Sequence, residues 1–285
     1  MGGHTPTGPE GWAYHTGLLA KSLKAAGITD VQFINFPNGP DLNEALLSGA
    51  LDVGLVGDTP AILAKAAGAP TRALNQSAVG TNAWLITKKN GPRTLAALAG
   101  QTVATAKGSY MSRYLLGLLQ EEGLSKSVKF VHLLPTDAEP ALSRGDIAAY
   151  AAPTGIGPLL VSHGYPILDQ AILHKGLSGS GITVISASYL ANHPGFPKVW
   201  NDTRAKSIDD LRAHSDAYYS FAAQASSLPI AIEKASYPLT VYAKEPFTKP
   251  GIELLTGTKA FLLQQHLAKA DFKIADWEVT QTPAQ

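Results

Sequence analysis

Four short apolar runs in this chain end in glycine, hydroxyl or acid residues that then open a helix. They are Gly57-Asp58-Thr59-Pro60, Lys107-Gly108-Ser109-Tyr110, Pro135-Thr136-Asp137-Ala138 and Pro153-Thr154-Gly155. Residues of these types hold anions; they do not by themselves break bonds. Free amides at a helix start carry partial positive charge, and hydroxyls beside them donate to an oxyanion without supplying a full countercharge. Ser109, Tyr110 and Thr59 are the best placed donors, with Gly57 and Gly108 leaving backbone amides open to approach. Each hydroxyl has a second use, because Ser, Thr and Asp also cap their own helices. Asp58 or Thr59 suffices as the cap of its helix, and Asp137 reads first as a cap and second as a ligand.

The elements that must position these residues follow from periodicity. Gly11 to Ala26 has helical spacing and stops at Gly27, and Val31 to Phe36 alternates at the period of a strand. Asn38-Gly39-Pro40 is turn chemistry, and Asp41 with Glu44 three residues on reads as a capping box for a short helix ending near Gly49. Val53 to Gly57 is too short for a helix and reads as a strand buried on both faces. Strands are further expected at Ala83–Thr87, Gln101–Ala106, Val128–Leu134 and Ile147–Ala152, with helices over Met111–Glu122, Glu139–Ser143 and Ile156–His163. The alternation of strand and helix argues for α/β architecture with a parallel sheet wrapped by helices.

Lys88-Lys89-Asn90-Gly91-Pro92 breaks the run, and Ser178-Gly179-Ser180-Gly181 reads as a hinge before a strand over Ile182–Ser186. Two lobes are therefore expected, 1–87 with 178–285 and 88–177, with a ligand cleft where strand ends meet. The rest is helical: Ser207 to Ser226, with Asp209 and Asp210 in its first turn, and Pro250 to Ala270.

The totals exclude several classes. With 285 residues and 45% hydrophobic content the chain can bury a large core. Lys+Arg 23 against Asp+Glu 22 leaves a net charge of +1 and no basic patch, so nucleic acid is not expected as a partner. Cysteine is absent, which removes disulfides, thiolate metal sites and cysteine nucleophiles together. No apolar run reaches the roughly 20 residues that cross a bilayer. The opening loop offers His4, Thr5, Glu10, Trp12 and His15; Trp12 can stack on a ligand, whereas loop histidines without a second ligand at useful spacing do not make a metal site.

The run Phe36 to Ala69, with its Gly-Pro turn, Glu-Ala-Leu helix, Gly49-Ala50-Leu51-Asp52-Val53-Gly54 strand lead-in and Gly57-Asp58-Thr59-Pro60, resembles the extracytoplasmic solute-binding proteins of ABC importers for aliphatic sulfonates, taurine and nitrate. Ala106-Lys107-Gly108-Ser109 is similar to that family's Lys-Gly-Ser loop, Leu134-Pro135-Thr136-Asp137-Ala138 to its Pro-x-Asp-Ala turn, and Gly145-Asp146-Ile147-Ala148-Ala149-Tyr150 to its strand ending in Trp. The matches run in order over about Asn35 to Pro158. Where the sulfonate binders carry Trp-Asp-Pro, this chain has Pro153-Thr154-Gly155, so the resemblance puts Thr154 where a carboxylate stands. Tyr150 either replaces the family's aromatic or packs.

The resemblance implies a two-lobed periplasmic-binding-protein fold of type II, the Venus-flytrap form. The expected function is capture of a small anionic organic solute of sulfonate, taurine or sulfate-ester type for an ABC transporter permease, by a monomer without cofactor or metal. Contacts from both lobes would favour a closed form by differential binding. The family places a signal peptide and a first strand before the point where this chain starts, so the expected location is periplasmic and the chain reads as shortened. The rival is an enzyme or ligand sensor on the same fold, such as a thiamine-pyrimidine-related one. Such synthases and porphobilinogen deaminase resemble the fold but depend on cysteine, and neither a Gly-x-Ser-x-Gly elbow, a P-loop nor a DNA-binding segment is present.

Overall fold

The computed structural model describes residues 6–279. Helices α1 (Gly8–His15), α2 (Leu18–Ala25) and α3 (Gly39–Ser48) precede strand β1 (Val53–Gly57), helix α4 (Asp58–Ala66) and strand β2 (Thr71–Thr81). Strands β3 (Trp84–Thr87), β4 (Thr102–Thr105), β5 (Lys129–His132), β6 (Ala149–Ala152) and β7 (Ile167–Gln170) follow, with α5 (Tyr110–Glu121), α6 (Ala138–Arg144) and α7 (Ile156–Ser162) after β4, β5 and β6. The last part holds β8 (Gly179–Ser186), α8 (Ala187–Asn192), α9 (Phe196–Ala213), α10 (Ser215–Ser226), α11 (Ile230–Ser236), α12 (Lys249–Gln264) and α13 (Ile274–Trp277).

The chain divides into two units. The first runs through Val79, resumes over Ser180–Lys234 and continues from Pro238; the second is Gly80–Gly179 with Ala235–Tyr237. The expected first crossing after Thr87 therefore lies earlier, at Val79–Gly80. β3 pairs with β6 and β7, so it belongs to the second unit, and those partners lie far ahead in the sequence.

The first unit is built on a three-stranded sheet in the order β1-β8-β2. Along β8, Ile182 and Val184 face one way and Ile185 the other. The first pair packs with Leu42, Leu46, Ile62, Leu255 and Trp277, the second face with Leu19, Leu23, Leu74 and Trp200. β1 is an edge strand antiparallel to β8, with alternating burial, and is not the doubly buried parallel strand expected. Gly54 is what lets α3 lie so close: a Cβ there would sit 2.6 Å from Leu42 Cδ2.

Several boundaries differ from the sequence reading for local reasons. The helix expected over 11–26 is two, because Gly17 adopts φ +74° between α1 and α2. No strand forms over 31–36: its alternation survives as partial burial of Val31, Phe33 and Phe36 against exposed Ile34, but no neighbouring backbone among the described residues pairs with it as a strand. Asn38, not Asp41, caps α3, its Oδ1 accepting the Asp41 amide at 2.9 Å, while Gly49 ends the helix at φ +77°. The helix expected over 207–226 breaks at His214, which puts Asp209 and Asp210 in the last turn of α9.

The second unit carries a five-stranded sheet, β5-β4-β6-β3-β7. β4 is parallel to β5 and β6, as strand–turn–helix units require, whereas β3 is antiparallel to β6 and β7. The sheet is thus mixed. Alternate residues of β3 and β6 face two separate cores. Leu85, Ala149 and Ala151 pack with Tyr114, Leu115, Leu118 and Leu119 of α5; Trp84, Ile86, Tyr150 and Ala152 pack with Leu142 of α6 and Leu160 of α7. Every residue of both strands is buried, so the sheet is covered on both faces and its ends are what remain for function.

Candidate functional site

In the first unit the expected anion corner at the end of β1 is filled by its own carboxylate. Gly57 stands at the cap position of α4 with no side-chain cap, and Asp58 and Thr59 lie in the first turn, both buried. Asp58 Oδ1 accepts the Thr59 amide at 2.5 Å and the Thr59 hydroxyl at 3.0 Å, while Oδ2 accepts the Ser180 amide at 2.9 Å. Gly57, Asp58 and Thr59 do come together, but the donors expected for a ligand are taken by Asp58. The Ser180 hydroxyl, buried beside them, makes no hydrogen bond among the described residues.

In the second unit a cluster of uncharged groups gathers where β4 and β6 end and β3 begins. Trp84 pairs with Ala152, so Asn82 and Thr154 leave the sheet at the same end. Gly108 adopts φ +78° to turn the chain into α5, a conformation that favours glycine. Ser109 caps that helix: its Oγ accepts the Ser112 amide at 3.2 Å and donates to the Ala106 carbonyl at 2.5 Å. Tyr110 Oη donates to the Asn82 carbonyl and accepts the Thr154 amide, both at 3.1 Å. Thr154 Oγ1 lies 2.6 Å from Tyr237 Oη, and the Gly155 amide donates to Ser236 Oγ at 2.8 Å.

Ser109 and Tyr110, singled out for their place at a helix start, and Thr154, singled out by the resemblance, thus lie at the same end of this sheet. Asn82, Ser236 and Tyr237 were missed. Nothing in their own stretches marks them: Tyr237 precedes Pro238 in a stretch flanked on both sides by the first unit, and only tertiary folding returns it to Thr154.

The remaining candidates lie elsewhere. Asp137, read first as a cap, is exposed ahead of α6 and makes no cap bond. Tyr150 is fully buried and donates to the Leu133 carbonyl at 3.2 Å; burial pushes its phenol well above the usual range, so of its two readings packing is the one realised. Trp12 does not stand open for stacking. Its Nε1 donates to Asp210 at 2.7 Å, and its ring lies against His15, Tyr218 and Phe221. Glu10 is buried, with its Oε1 3.2 Å from Arg204 Nε. Burial raises the Glu10 carboxyl and lowers the Arg204 guanidinium, while the charge of each opposes the other's shift.

Lys107 is exposed, with Nζ 5.4 Å over the Phe130 ring. His4 and Thr5 lie outside the described residues. Among the described residues no three His, Cys, Asp or Glu side chains are placed to hold a metal ion, and no helix is long and apolar enough to cross a membrane.

Comparison with known proteins agrees with this architecture. A protein of Escherichia coli (strain K12) named as an aliphatic sulfonates-binding protein is 36% identical over 171 residues, 58% of this chain and 50% of that one. A Bacillus subtilis (strain 168) protein named likewise is 29% identical over 214 residues, 72% of this chain and 64% of that one. The matched stretch therefore spans half to somewhat under two thirds of these relatives.

Among solved structures, the periplasmic aliphatic sulphonate binding protein SsuA of Escherichia coli superposes with a TM-score of 0.78, covering 94% of this chain and 92% of that one at 23% identity. The alkanesulfonate-binding protein SsuA of Xanthomonas axonopodis pv. citri, bound to MOPS, gives 0.76 at 26% identity, covering 90% and 89%. The desulfurization enzyme DSZB, as a point mutant in complex with biphenyl-2-sulfinic acid, gives 0.77 at 17% identity, covering 95% and 92%. The chain has the periplasmic-binding-protein fold, and since an enzyme shares it, the fold alone does not decide between binding and catalysis. The model of the NMT1/THI5-like family matches residues 13–159, more than half of the sequence, and the chain belongs to that family.

Proposed function

We propose that this chain is the solute-binding component of an ABC importer and captures a small organic anion of the sulfonate type in the periplasm. The observation that carries the reading is the uncharged cluster of Ser109, Tyr110, Thr154, Ser236 and Tyr237 at the carboxyl ends of β4 and β6. Open α/β sheets bind ligands beyond those strand ends. A sulfonate presents only acceptor oxygens, which fixed hydroxyls and amides satisfy without a countercharge. The names of the two relatives point to the same ligand class.

These five residues include no carboxylate, imidazole or ammonium to move a proton, which favours holding over catalysis. A monomer that hands its solute to a membrane permease, with no cofactor and no bond made, is the form of the reading we adopt. The Asp58 corner of the first unit plays a structural part in it, through the amides of Thr59 and Ser180.

The test is calorimetric titration and thermal melting with butanesulfonate, taurine, nitrate, an alkyl sulfate and butanoate, followed by mass analysis of the recovered ligand. A ligand near one hundred times its Kd stabilises the native state by about 2.7 kcal/mol, a readily measured rise in melting temperature. Binding of a sulfonate or sulfate ester, recovered unchanged, is the expected result. No response to any of them removes the proposal, and recovery of a converted ligand transfers the chain to the enzymes that share its fold.

A further inference from the structure

Thr154 and Gly155 form the turn between β6 and α7, and three side chains from distant parts of the second unit hold it. Tyr110 takes the Thr154 amide, Ser236 takes the Gly155 amide, and Tyr237 meets the Thr154 hydroxyl at 2.6 Å. Ser236 and Tyr237 reach this turn from 81 and 83 positions further along the chain. The short segment Ala235–Tyr237 belongs to the second unit although first-unit residues flank it on both sides. Ser236 is buried, whereas Thr154 and Tyr237 are each half-buried.

A hydroxyl rotates freely unless a partner fixes it. A bond of 2.6 Å between two oxygens is at the short end of the O–H···O range and sets the Thr154 side chain in one orientation. When the phenol donates, the threonine hydrogen is left for another acceptor. Fixing a donor in advance removes the rotamer entropy that binding would otherwise lose.

We propose that Tyr237 is a specificity-determining residue that positions the Thr154 hydroxyl as a donor to the oxyanion of the ligand. The inference rests on the binding function proposed above and adds to it a residue from outside every motif in the sequence. Tyr237 acts through Thr154; it need not touch the ligand itself.

A double-mutant cycle tests it, with Tyr237→Phe, Thr154→Val and the pair together, titrated with butanesulfonate by calorimetry and melted without ligand. Thr154→Val loses a hydrogen bond to the charged ligand and weakens binding about tenfold or more, while Tyr237→Phe loses the fixing of that hydroxyl and weakens binding by up to about tenfold. Because the two hydroxyls work as one unit, the double variant is no weaker than the worse single one, which a merely structural role would not produce.

Unchanged affinity in Tyr237→Phe overturns the proposal, whatever happens to its melting temperature. Additive losses, with the double variant weakened about a hundredfold, overturn it as well. Should Tyr237→Phe fail to fold, the comparison passes to Thr154→Val and Thr154→Ser: full affinity in the valine variant refutes the proposal, and loss in valine with recovery in serine upholds the Thr154 donor on which it rests. A wild-type chain that binds no sulfonate brings down the parent reading and this one together. A wild-type chain that binds, with a phenylalanine variant that binds equally, brings down this one alone.

Discussion

His174 Nε2 lies 2.9 Å from Asp169 Oδ1, and the imidazole's other nitrogen lies 2.8 Å from Glu121 Oε2. The ring thereby joins the end of β7 to the last turn of α5. Tyr114, also from α5, donates its phenol to the same Asp169 oxygen at 2.6 Å. Partial burial pulls the histidine pKa down, but hydrogen bonds and charge from Asp169 and Glu121 outweigh it, so the net shift is upward.

A raised histidine pKa in the folded state stabilises fully below the unfolded value, near 6.5, and that contribution fades as pH rises through the folded value. The melting temperature of the wild-type chain is therefore expected to fall through this group as pH rises above about 6.5. In His174→Gln that part of the slope disappears. Parallel melts of the two proteins across the range check it; identical slopes would refute it.

Arg204 reaches more than its ion pair with Glu10. Its guanidinium donates to the carbonyls of Ala243 at 2.6 Å, Gln76 at 3.0 Å and Ser77 at 3.1 Å. Removing one partner of a buried pair leaves an uncompensated charge, so Arg204→Met is expected to cost about 3–5 kcal/mol in urea denaturation. A loss below about 1 kcal/mol would show that the carboxyl is held neutral without difficulty.

Two glycines make opposite predictions. A Cβ on Gly157 would stand 2.5 Å from Trp84 Cε3 and 2.6 Å from Cδ2, atoms of a buried rigid ring, whereas Gly257, exposed within α12, has nothing within 4 Å. Gly157→Ala is expected to destabilise by about 1–3 kcal/mol through overpacking. Gly257→Ala is expected to stabilise by about 0.8–1 kcal/mol through helix propensity. Denaturation midpoints of both variants decide the signs.

Ser109 and Tyr110 are neighbours with separable roles. Ser109→Ala removes a helix cap and is expected to cost about 1 kcal/mol of stability. Tyr110→Phe cuts the links to Asn82 and Thr154 that hold the turn after β6, and is expected to weaken sulfonate binding by up to about tenfold through loosening of that turn. Titration and melting of each variant check the division. Equal effects of both on affinity would refute that division.

Local signals were read well where the chain's own neighbours decide the outcome. The extent of the strand Val53–Gly57, the helix stop at Gly49 and the parallel β4, β5 and β6 all depend on residues within a few positions or on a helical crossover. The extended run 31–36 was misread because alternation records burial, which a segment has with or without a paired backbone. Trp12 was misread because an aromatic in a loop-like opening looks available until Asp210, Tyr218 and Phe221 are known to surround it.

The sequence by itself determined the α/β class, the strand–turn–helix units and the hydroxyls that end them, since these rest on periodicity, turn chemistry and capping over short distances. Only the tertiary structure decided which partners those hydroxyls take. It committed Thr59 to Asp58, joined Tyr110 to Thr154, and returned Tyr237 to the same turn from the far part of the chain. Hydrogen-bond partners at such separation are chosen by the packing of whole sheets and helices, and no local pattern in the sequence encodes that choice.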